Sequence, residues 1–379
     1  MGYWIQSHKK GDEILCQQTK GIVAEMTEPL QLEFKEYPIV EPEPGAVIVK
    51  ILQTNICGSE LHIWKGHHPV IRSGALGHEM IGEIFALGKG VTTDFAGQPV
   101  KVGDRIVSAY FLTCRKCKPC QQGQFNLCEN AYKYWRLPTE QAPHFHGTFG
   151  THYYIHSDQY FYRVPDEIPN NVAASANCAL SQVYFGLESG QVKSGETILV
   201  QGAGGLGLNA IAIAKEKQLK VIVIDAVSSR LEQAKQFGAD EVISFTEYPT
   251  LESRIERIME LTDGSGVDVA LEVAGVPAAF NEGVHLIRAG GRYVVIGNIS
   301  PGQTVAFDPG YLTRKGITII PVLRYNPWYL KKALDFLVRN KDKYPFETLL
   351  DAEFTLDDIK GALDKSANRE VTRATIVPS

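Results

Sequence analysis

The stretch ILVQGAGGLG at residues 198–207 decides the fold, because an apolar run leads directly into a glycine loop that opens a helix. In such a loop Gly202 permits a tight turn, Gly204 lets the backbone approach a pyrophosphate, and Gly207 lets the helix pack close to the strand. The phosphates would lie at the amino end of the helix, where backbone N–H groups are free. We therefore expect a dinucleotide-binding site at this loop.

Glycine loops that bind dinucleotides are followed by an acidic residue at the end of the next strand. Asp225 occupies this position, at the end of the next apolar run and 23 residues after Gly202. A carboxylate there accepts hydrogen bonds from the ribose hydroxyls and repels a 2'-phosphate, so we predict NAD and hold NADP as the less favoured alternative. The competing interpretation is a tight turn with an incidental acid at a strand end. The predicted cofactor-binding residues are Gly202, Gly204, Gly205, Leu206, Gly207, Asp225 and Arg230.

Strands and helices alternate outward from the glycine loop, which is typical of parallel sheets covered by helices. The pattern predicts an α/β fold with a doubly wound, six-stranded parallel sheet of the Rossmann type, which we place in residues 180–325. The predicted helices are 206–217 and 228–237, and the predicted strands are 198–201, 221–224, 267–273, 292–296 and 317–322.

The residues before the glycine loop have a different texture. Between residues 45 and 157, short β-rich runs such as 47–52 and 105–111 are separated by Gly and Pro, and helical periodicity is scarce. We expect a β-rich domain formed by residues 1–179 and completed by residues 326–379. A chain of 379 residues is long enough for two domains.

The overall composition excludes several classes of protein. Hydrophobic residues make up 44% of the chain and charged residues 21%, which is typical of a globular protein. The net charge of -5 provides no broad positive field for a phosphate backbone, so we expect neither nucleic acid nor a membrane as partner. The first 18 residues lack the apolar run of a signal peptide. We therefore expect a cytoplasmic protein with a small-molecule substrate.

Four cysteines occur within fifteen residues in the pattern C-x-x-C-x-x-C-x7-C, which we call the cysteine comb. This spacing lets a looped chain direct four sulfurs at one centre, and a zinc ion with four thiolates has no open position, so we predict a structural zinc. An iron–sulfur cluster or disulfides are the alternatives. The residues of the comb are Cys114, Cys117, Cys120 and Cys128.

A second set of possible metal ligands is spread along the chain. Cys57 follows a predicted strand, and His78 and Glu79 come about twenty residues later. Cys178 lies just before the predicted nucleotide domain, where a crevice between two domains would be. Two thiolates and one imidazole leave a fourth position open, as a catalytic zinc requires. Taken singly, each residue has a plainer interpretation, since a lone buried cysteine is usually an apolar core residue.

With these patterns in view, the chain resembles the zinc-containing medium-chain alcohol dehydrogenases over nearly its whole length. The sequence GHEMIG at residues 77–82, followed by Gly88 and Val91, looks like the zinc signature of that family. The cysteine comb, the glycine loop and Asp225 also occur in the family order. The resemblance implies that the β-rich domain is GroES-like and that each chain holds two zinc ions, one catalytic and one structural.

The resemblance assigns roles to individual residues. By it, Cys57, His78 and Cys178 are ligands of the catalytic zinc, and Glu79 is a nearby carboxylate that can approach the metal. Cys178 is the position at which several relatives have Asp or Glu instead. The chain also has Glu60 where the family usually has Asp, so the contact between this carboxylate and the zinc histidine is an open question.

Further roles implied by the resemblance concern the proton and the substrate. Ser59 matches the hydroxyl that takes the substrate's proton, and His62 matches the imidazole that passes this proton to solvent. Tyr110 matches an aromatic residue of the substrate pocket. The expected catalytic residues are thus Ser59, His62 and Glu79. Further candidates for the pocket are Trp64, His67, His68, Phe111 and His144, whereas segment 129–147 has no pattern that assigns it a role.

We expect a zinc-dependent enzyme that reversibly oxidises a primary or secondary alcohol with NAD. Three alternatives within the family stay open: a polyol dehydrogenase, a threonine-type dehydrogenase, and an aldehyde dismutase that retains its NAD. The alternative from another class is a non-enzymatic nucleotide-binding protein that uses zinc only for folding. The family forms dimers and tetramers, and we favour a homotetramer.

Overall fold

The computed structural model describes residues 19–68, 71–298, 301–368 and 370–378. Residues 1–18, and with them the prediction about a signal peptide, lie outside the described residues. The chain forms two large sheets and a small three-stranded one, with helices around them. Within these ranges, no helix combines the length and the apolar character that a membrane crossing requires.

The strands and helices have the following bounds. The strands are β1 Lys20–Glu28, β2 Gln31–Pro38, β3 Val47–Asn55, β4 Gly74–Ala75, β5 Glu79–Leu87, β6 Arg105–Leu112, β7 His152–Ile155, β8 Gln159–Arg163, β9 Thr197–Gln201, β10 Lys220–Asp225, β11 Glu241–Ser244, β12 Val267–Glu272, β13 Ile287–Val295, β14 Thr318–Pro321, β15 Ala352–Thr355 and β16 Ala374–Val377. The helices are α1 Gly58–Trp64, α2 Lys118–Gln121, α3 Asn170–Ala173, α4 Ser181–Ser189, α5 Gly205–Glu216, α6 Ser228–Gln236, α7 Leu251–Leu261, α8 Pro277–Leu286, α9 Gly310–Lys315, α10 Tyr329–Asn340 and α11 Ile359–Ala367.

The β-rich sheet has the strand order β15-β16-β3-β5-β6-β8, and β7 also pairs with β3. Its central strand β3 is buried along most of its length, as its run of Val and Ile residues predicts. The antiparallel register of β3 and β5 places Asn55 opposite Glu79, and β16 places Thr375 opposite Asn55 from the other side. The register therefore brings the end of β3, the start of β5 and a strand from the carboxyl-terminal segment together.

The second large sheet has the strand order β11-β10-β9-β12-β13-β14, and all its neighbouring strands are parallel. This order confirms the predicted doubly wound, six-stranded parallel sheet. The strand order reverses between β9 and β12, so the glycine loop that follows β9 lies at the point where such sheets bind their ligands. The sequence did not predict β11, because this edge strand has only four residues and three of them are half-buried.

A continuous hydrophobic core links the two large sheets. It contains Val107 and Ala109 of β6, Ile198 and Val200 of β9, and most of α5. The π-helical turn Ala176–Leu180 is completely buried in the same core and leads directly into α4. Cys178 is thereby held in the packed region between the sheets.

Candidate active site

Three separate segments deliver the predicted catalytic ligands. Cys57 lies in the extended residues between β3 and α1, where it is the residue that precedes the helix. His78 immediately precedes β5 and follows Gly77, which has a φ of 88° and is packed so tightly that a Cβ atom would lie 2.5 Å from the Phe149 side chain. Cys178 lies in the buried π-helical turn. Cys57 and His78 thus lie next to the ends of regular elements, whereas Cys178 lies inside a helical turn.

The donor atoms of these residues converge on one point. Cys57 Sγ lies 3.9 Å from Cys178 Sγ, and His78 Nε2 lies 3.2 Å from Cys178 Sγ. Two sulfurs bound to one tetrahedral zinc at about 2.3 Å are roughly 3.8 Å apart, so the spacing of the thiols suits a shared ion. It is far too long for a disulfide. Glu79 adds a carboxylate oxygen within 4.8 Å of the other three donors.

Glu60 orients the predicted zinc histidine. One of its oxygens is hydrogen-bonded to His78 Nδ1, and the other accepts the backbone N–H of Cys57 at 3.0 Å. The sequence left open whether the carboxylate at position 60 contacts His78. The structure shows this contact, although the residue is glutamate instead of aspartate. Because Glu60 occupies Nδ1, the Nε2 atom of His78 faces the two sulfurs.

The titration behaviour of the cluster is that of a site built for a cation. The hydrogen bond between Cys57 and Cys178 lowers the pKa of Cys57. The same hydrogen bond, together with burial, raises the pKa of Cys178. Burial opposes a proton on His78, but Glu60 and Cys57 together hold the pKa of this imidazole well above its usual value. Thiolate and carboxylate thus attract positive charge to the cluster, which a divalent ion would supply.

Glu79 is tied to a residue that the sequence did not single out. Its Oε2 forms an ion pair with Arg373 and accepts a hydrogen bond from Asn55 at 3.3 Å. Its Oε1 is buried and has no partner among the described residues. Burial raises the pKa of Glu79 to about 7 although Arg373 opposes this. A carboxylate with one unpaired oxygen beside two thiols is suited to approach a metal when a ligand is exchanged.

Arg373 also reaches the glycine loop. A Cβ atom placed on Gly205 would lie 2.8 Å from Nη1 of Arg373. The guanidinium of Arg373 therefore lies directly against the start of α5. The predicted metal cluster and the predicted dinucleotide loop therefore share one buried arginine. No local pattern marks this residue, because its partner Glu79 lies 294 positions earlier in the chain.

Ser59 and His62 lie one turn apart on α1, so their side chains leave the same face of the helix. Both are half-buried, and no hydrogen-bond partner of either side chain is present within the described residues. Burial lowers the pKa of His62, and the neighbouring His67 and Lys65 lower it further. A half-buried imidazole one turn from a hydroxyl that has no partner among the described residues is able to accept and release a proton.

An aromatic wall stands beside His78. The ring of Tyr110 lies 4.7 Å from the His78 ring and that of Trp135 lies 5.7 Å from it, measured between ring centroids. Trp135 is fixed by a hydrogen bond of 2.9 Å to the carbonyl of Ala75. Segment 129–147, which had no predicted role, therefore contributes a side chain at the candidate site.

Several other pocket candidates lie elsewhere. Trp64 is fully buried in a separate hydrophobic cluster and donates to Asp364 at 3.3 Å. His144 stacks on Tyr37 with their ring centroids 4.6 Å apart. Phe111 packs in the core behind Tyr110. The exposed His67 and the half-buried His68 follow α1, and His68 Nδ1 accepts the N–H of Ile71 at 2.9 Å.

The cysteine comb forms a second cluster, in which all four sulfurs lie within 4.8 Å of one another. The backbone N–H groups of Cys114 and Cys117 and the amide of Asn130 point at its sulfurs at 3.3–3.4 Å. All described cysteines are free thiols, which contradicts the disulfide alternative for the comb. Arg324 anchors the loop by donating to the carbonyls of Asn126 and Cys128.

The glycine loop has the geometry that its sequence predicts. Gly202 has a φ of 104°, which favours glycine. A Cβ atom on Gly207 would lie only 1.9 Å from the carbonyl oxygen of Gly202, so this position requires glycine as well. Around Gly204, by contrast, no atom lies within 4 Å of where a Cβ would be. This open space at the amino end of α5 fits the pyrophosphate of a dinucleotide.

Asp225 ends β10 beside the glycine loop. Its carboxylate accepts the backbone N–H of Ala203 at 2.7 Å and that of Val227 at 2.8 Å. The half-buried Arg230 lies at the start of α6, where no partner of its side chain is found within the described residues. Asp225 therefore contacts the loop directly, and Arg230 follows it five positions later in the chain.

Comparison with known proteins identifies the family of the chain. A family model described as "Alcohol dehydrogenase GroES-like domain" matches residues 43–166, and one described as "Zinc-binding dehydrogenase" matches residues 205–339. The 5-exo-hydroxycamphor dehydrogenase of Pseudomonas putida is 34% identical over 90% of this chain and 94% of its own length. The chain belongs to the zinc-containing medium-chain dehydrogenase family.

Other members are also similar to this medium-chain dehydrogenase. The L-threonine 3-dehydrogenase of Pyrococcus horikoshii is 32% identical over 78% of this chain and 80% of its own length. The crystal structure of an alcohol dehydrogenase from Thermotoga maritima, 28% identical, has a TM-score of 0.90 over 95% of this chain and all of its own. Membership makes the protein an oxidoreductase that acts on CH–OH groups with zinc and a nicotinamide cofactor.

Proposed function

We propose that this medium-chain dehydrogenase reversibly oxidises a primary or secondary alcohol to an aldehyde or ketone, with hydride transfer to NAD. The observation that carries the proposal is the convergence of Cys57, His78 and Cys178 on one point. Arg373, which pairs with Glu79 beside this point, also lies against the glycine loop. A non-enzymatic nucleotide-binding protein would need no such open ligand set.

In this proposal Cys57, His78 and Cys178 hold the catalytic zinc, which when bound lowers the pKa of the substrate hydroxyl as a Lewis acid. The cysteine comb holds a second, structural zinc. Ser59 accepts the hydroxyl proton of the substrate, and His62 passes it to solvent. Tyr110 packs against the substrate at the entrance to the ligand cluster.

NAD is the proposed form of the nicotinamide cofactor. The open space at Gly204 would take the pyrophosphate, with Gly205, Leu206 and Gly207 beginning the helix behind it. The Asp225 carboxylate would lie against the ribose and repel a 2'-phosphate, and Arg230 would lie at the same edge.

The deciding experiment is to replace a proposed catalytic ligand and to measure NADH formation and zinc content together. Cys57→Ala should lower kcat/KM for alcohols by about a thousandfold or more while NADH binding is retained. Cys117→Ala, in the comb, is the contrasting variant and should mainly lower thermal stability. Turnover at the wild-type rate by Cys57→Ala would refute the proposal.

We further propose that residues 1–179 and 326–379 form the catalytic domain and residues 180–325 the nucleotide-binding domain. The two large sheets, whose strands fall on either side of these bounds, support this division. We also propose that the enzyme is a homotetramer, which sedimentation equilibrium would distinguish from a dimer.

A further inference from the structure

Two loops begin at the ends of β12 and β13, on the same edge of the parallel sheet as the glycine loop. These are the β12 loop, residues 273–276, and the β13 loop, residues 296–298. Their backbones are in direct contact, because a Cβ atom on Gly297 would lie 2.6 Å from the backbone nitrogen of Gly275. A Cβ atom on Gly202 would lie 3.0 Å from the Cα atom of Ala274. The β12 loop therefore lies against both the β13 loop and the glycine loop.

Glu272, the last residue of β12, is hydrogen-bonded to both of these loops. Its side chain is completely buried, with 0% of the residue exposed. Its Oε1 accepts the N–H of Gly275 in the β12 loop at 2.7 Å. Its Oε2 accepts the N–H groups of Gly297 and Asn298 in the β13 loop, both at 3.1 Å. Among the described residues, the hydrogen-bond donors to this carboxylate are thus backbone N–H groups alone.

A carboxylate is the side-chain group that suits this position, because both of its oxygens accept hydrogen bonds. The amide of glutamine has the same shape, but one of its two ends is an NH2 group. With an amide at position 272, this NH2 group would face a backbone N–H, and one of the loops would lose its acceptor. Burial of a carboxylate without a cationic partner is costly, so its presence indicates that the arrangement of the two loops matters beyond the packing of the sheet.

The position of the two loops indicates which half of the cofactor they face. In a doubly wound sheet the dinucleotide lies across the point where the strand order reverses, which here is between β9 and β12. Asp225, the proposed ribose-side residue, ends β10 on one side of this point. The β12 and β13 loops lie on the other side. With the pyrophosphate at Gly204 and the adenosine beside Asp225, these loops would face the nicotinamide half.

We propose that Glu272 is a positioning residue that holds the β12 and β13 loops in the arrangement required by the nicotinamide half of the cofactor. This inference rests on the proposed NAD-linked function and adds a residue that acts on the cofactor through backbone groups. The adenosine half is bound on the other side of the sheet's reversal point. Loss of the carboxylate should therefore weaken the binding of one half of the cofactor and spare the other.

The test compares the binding of NADH with that of AMP, which contains the adenosine half but no nicotinamide, to full-length, zinc-loaded Glu272→Gln. The affinity for NADH, measured by fluorescence titration, should fall about tenfold or more, since a buried backbone N–H loses its acceptor. The affinity for AMP, measured by calorimetry, should stay within about twofold of the wild-type value. A general loosening of the nucleotide-binding sheet would weaken both ligands alike.

A second variant disturbs the same contact from the side of the loop. Gly275 has a φ of 70°, and a Cβ atom there would lie 3.1 Å from the carbonyl oxygen of Gly297. Gly275→Ala should therefore displace the β12 loop while Glu272 is kept. The same selective loss of NADH affinity is expected, so this variant tests the proposal even if Glu272→Gln does not fold.

The matched control is Asp268→Asn, an acid-to-amide change at the opposite, amino end of β12. The Asp268 carboxylate accepts the backbone N–H of Thr197 at 2.8 Å and pairs with Arg288. This variant also loses a backbone contact of the same sheet, but far from the β12 and β13 loops. Its affinities for NADH and AMP should both stay within about twofold of the wild type.

Equal weakening of NADH and AMP in Glu272→Gln, or unchanged NADH affinity, would overturn the proposal. Wild-type binding of NADH that is no tighter than that of AMP would overturn it as well, because the two loops would then contribute no affinity. Failure of the proposed activity is a separate result. A protein that binds NADH but oxidises no alcohol refutes the activity, whereas the comparison of NADH with AMP still decides the role of Glu272.

Discussion

At the scale of single residues, Glu60 shows how a departure from a family pattern can preserve its geometry. The side chain is one methylene longer than the usual aspartate, and it is completely buried. Its two oxygens contact His78 Nδ1 and the Cys57 N–H, so one carboxylate positions two proposed ligands at once. Outer contacts of this kind fix the orientation of a metal-binding imidazole and increase its basicity.

Glu60→Gln should weaken zinc binding at the catalytic cluster. The amide lacks the negative charge that favours the cation, and we expect a loss of about 10- to 100-fold in zinc affinity. Competition with a chelator measures this loss. Glu60→Asp is the matched control, because it keeps the charge and introduces the usual family residue, so its affinity should stay close to that of the wild type. Equal affinity of wild type and Glu60→Gln would contradict the role assigned to the charge.

Residues that act through local motifs could be predicted from the sequence, whereas those that act across the chain could not. His78 and the cysteine comb occur in spaced patterns that carry their own chemical meaning. Arg373 occurs in no such pattern, because its contact with Glu79 joins positions 294 residues apart.

At the scale of elements, the loop between β9 and α5 combines two different requirements for glycine. Gly207 is needed for packing, since the Gly202 carbonyl occupies the space of any side chain there. Gly204 has free space around it, so the fold itself does not demand glycine at this position. The strand, loop and helix were predicted nearly to their ends, because apolar periodicity and glycine spacing agree there. β11 was missed, because a short edge strand shows little periodicity.

Replacement by alanine should affect NADH binding at Gly204 and the stability of the fold at Gly207. Gly204→Ala should leave the unfolding free energy within about 1 kcal/mol of the wild type but weaken NADH binding about tenfold or more, because its methyl group occupies the pyrophosphate space. Gly207→Ala should instead destabilise the fold by about 2 kcal/mol or more through overpacking. Urea unfolding and NADH fluorescence titration measure the two effects. Equal destabilisation by both variants would argue against this distinction.

At the scale of the whole molecule, the buried histidines couple stability to pH. His152 of β7 is 7% exposed, and burial lowers its pKa from an ordinary 6.5 to about 4. A proton therefore binds the unfolded chain more tightly than the folded one. The stability that a neutral His152 provides is complete above pH 6.5 and is lost as the pH falls towards 4.

Acidification from pH 7 to pH 5 should accordingly reduce the unfolding free energy by about 2 kcal/mol through His152 alone. Replacing this residue by glutamine removes the titrating group, so the difference in stability between the two pH values should shrink by a similar amount. Urea titrations of both proteins at the two pH values test this. An unchanged pH dependence in His152→Gln would show that this histidine does not titrate differently in the two states.

The position of β16 beside β3 has a consequence for biosynthesis. Asn55 at the end of β3 is hydrogen-bonded to Thr375 of β16, a residue that the ribosome adds 320 positions later. Until then, the end of β3 at Thr54 and Asn55 lacks this neighbour, because β7 pairs only with residues 47–50 of the same strand. The end of β3 that precedes Cys57 is therefore completed only when nearly the whole polypeptide has been synthesised.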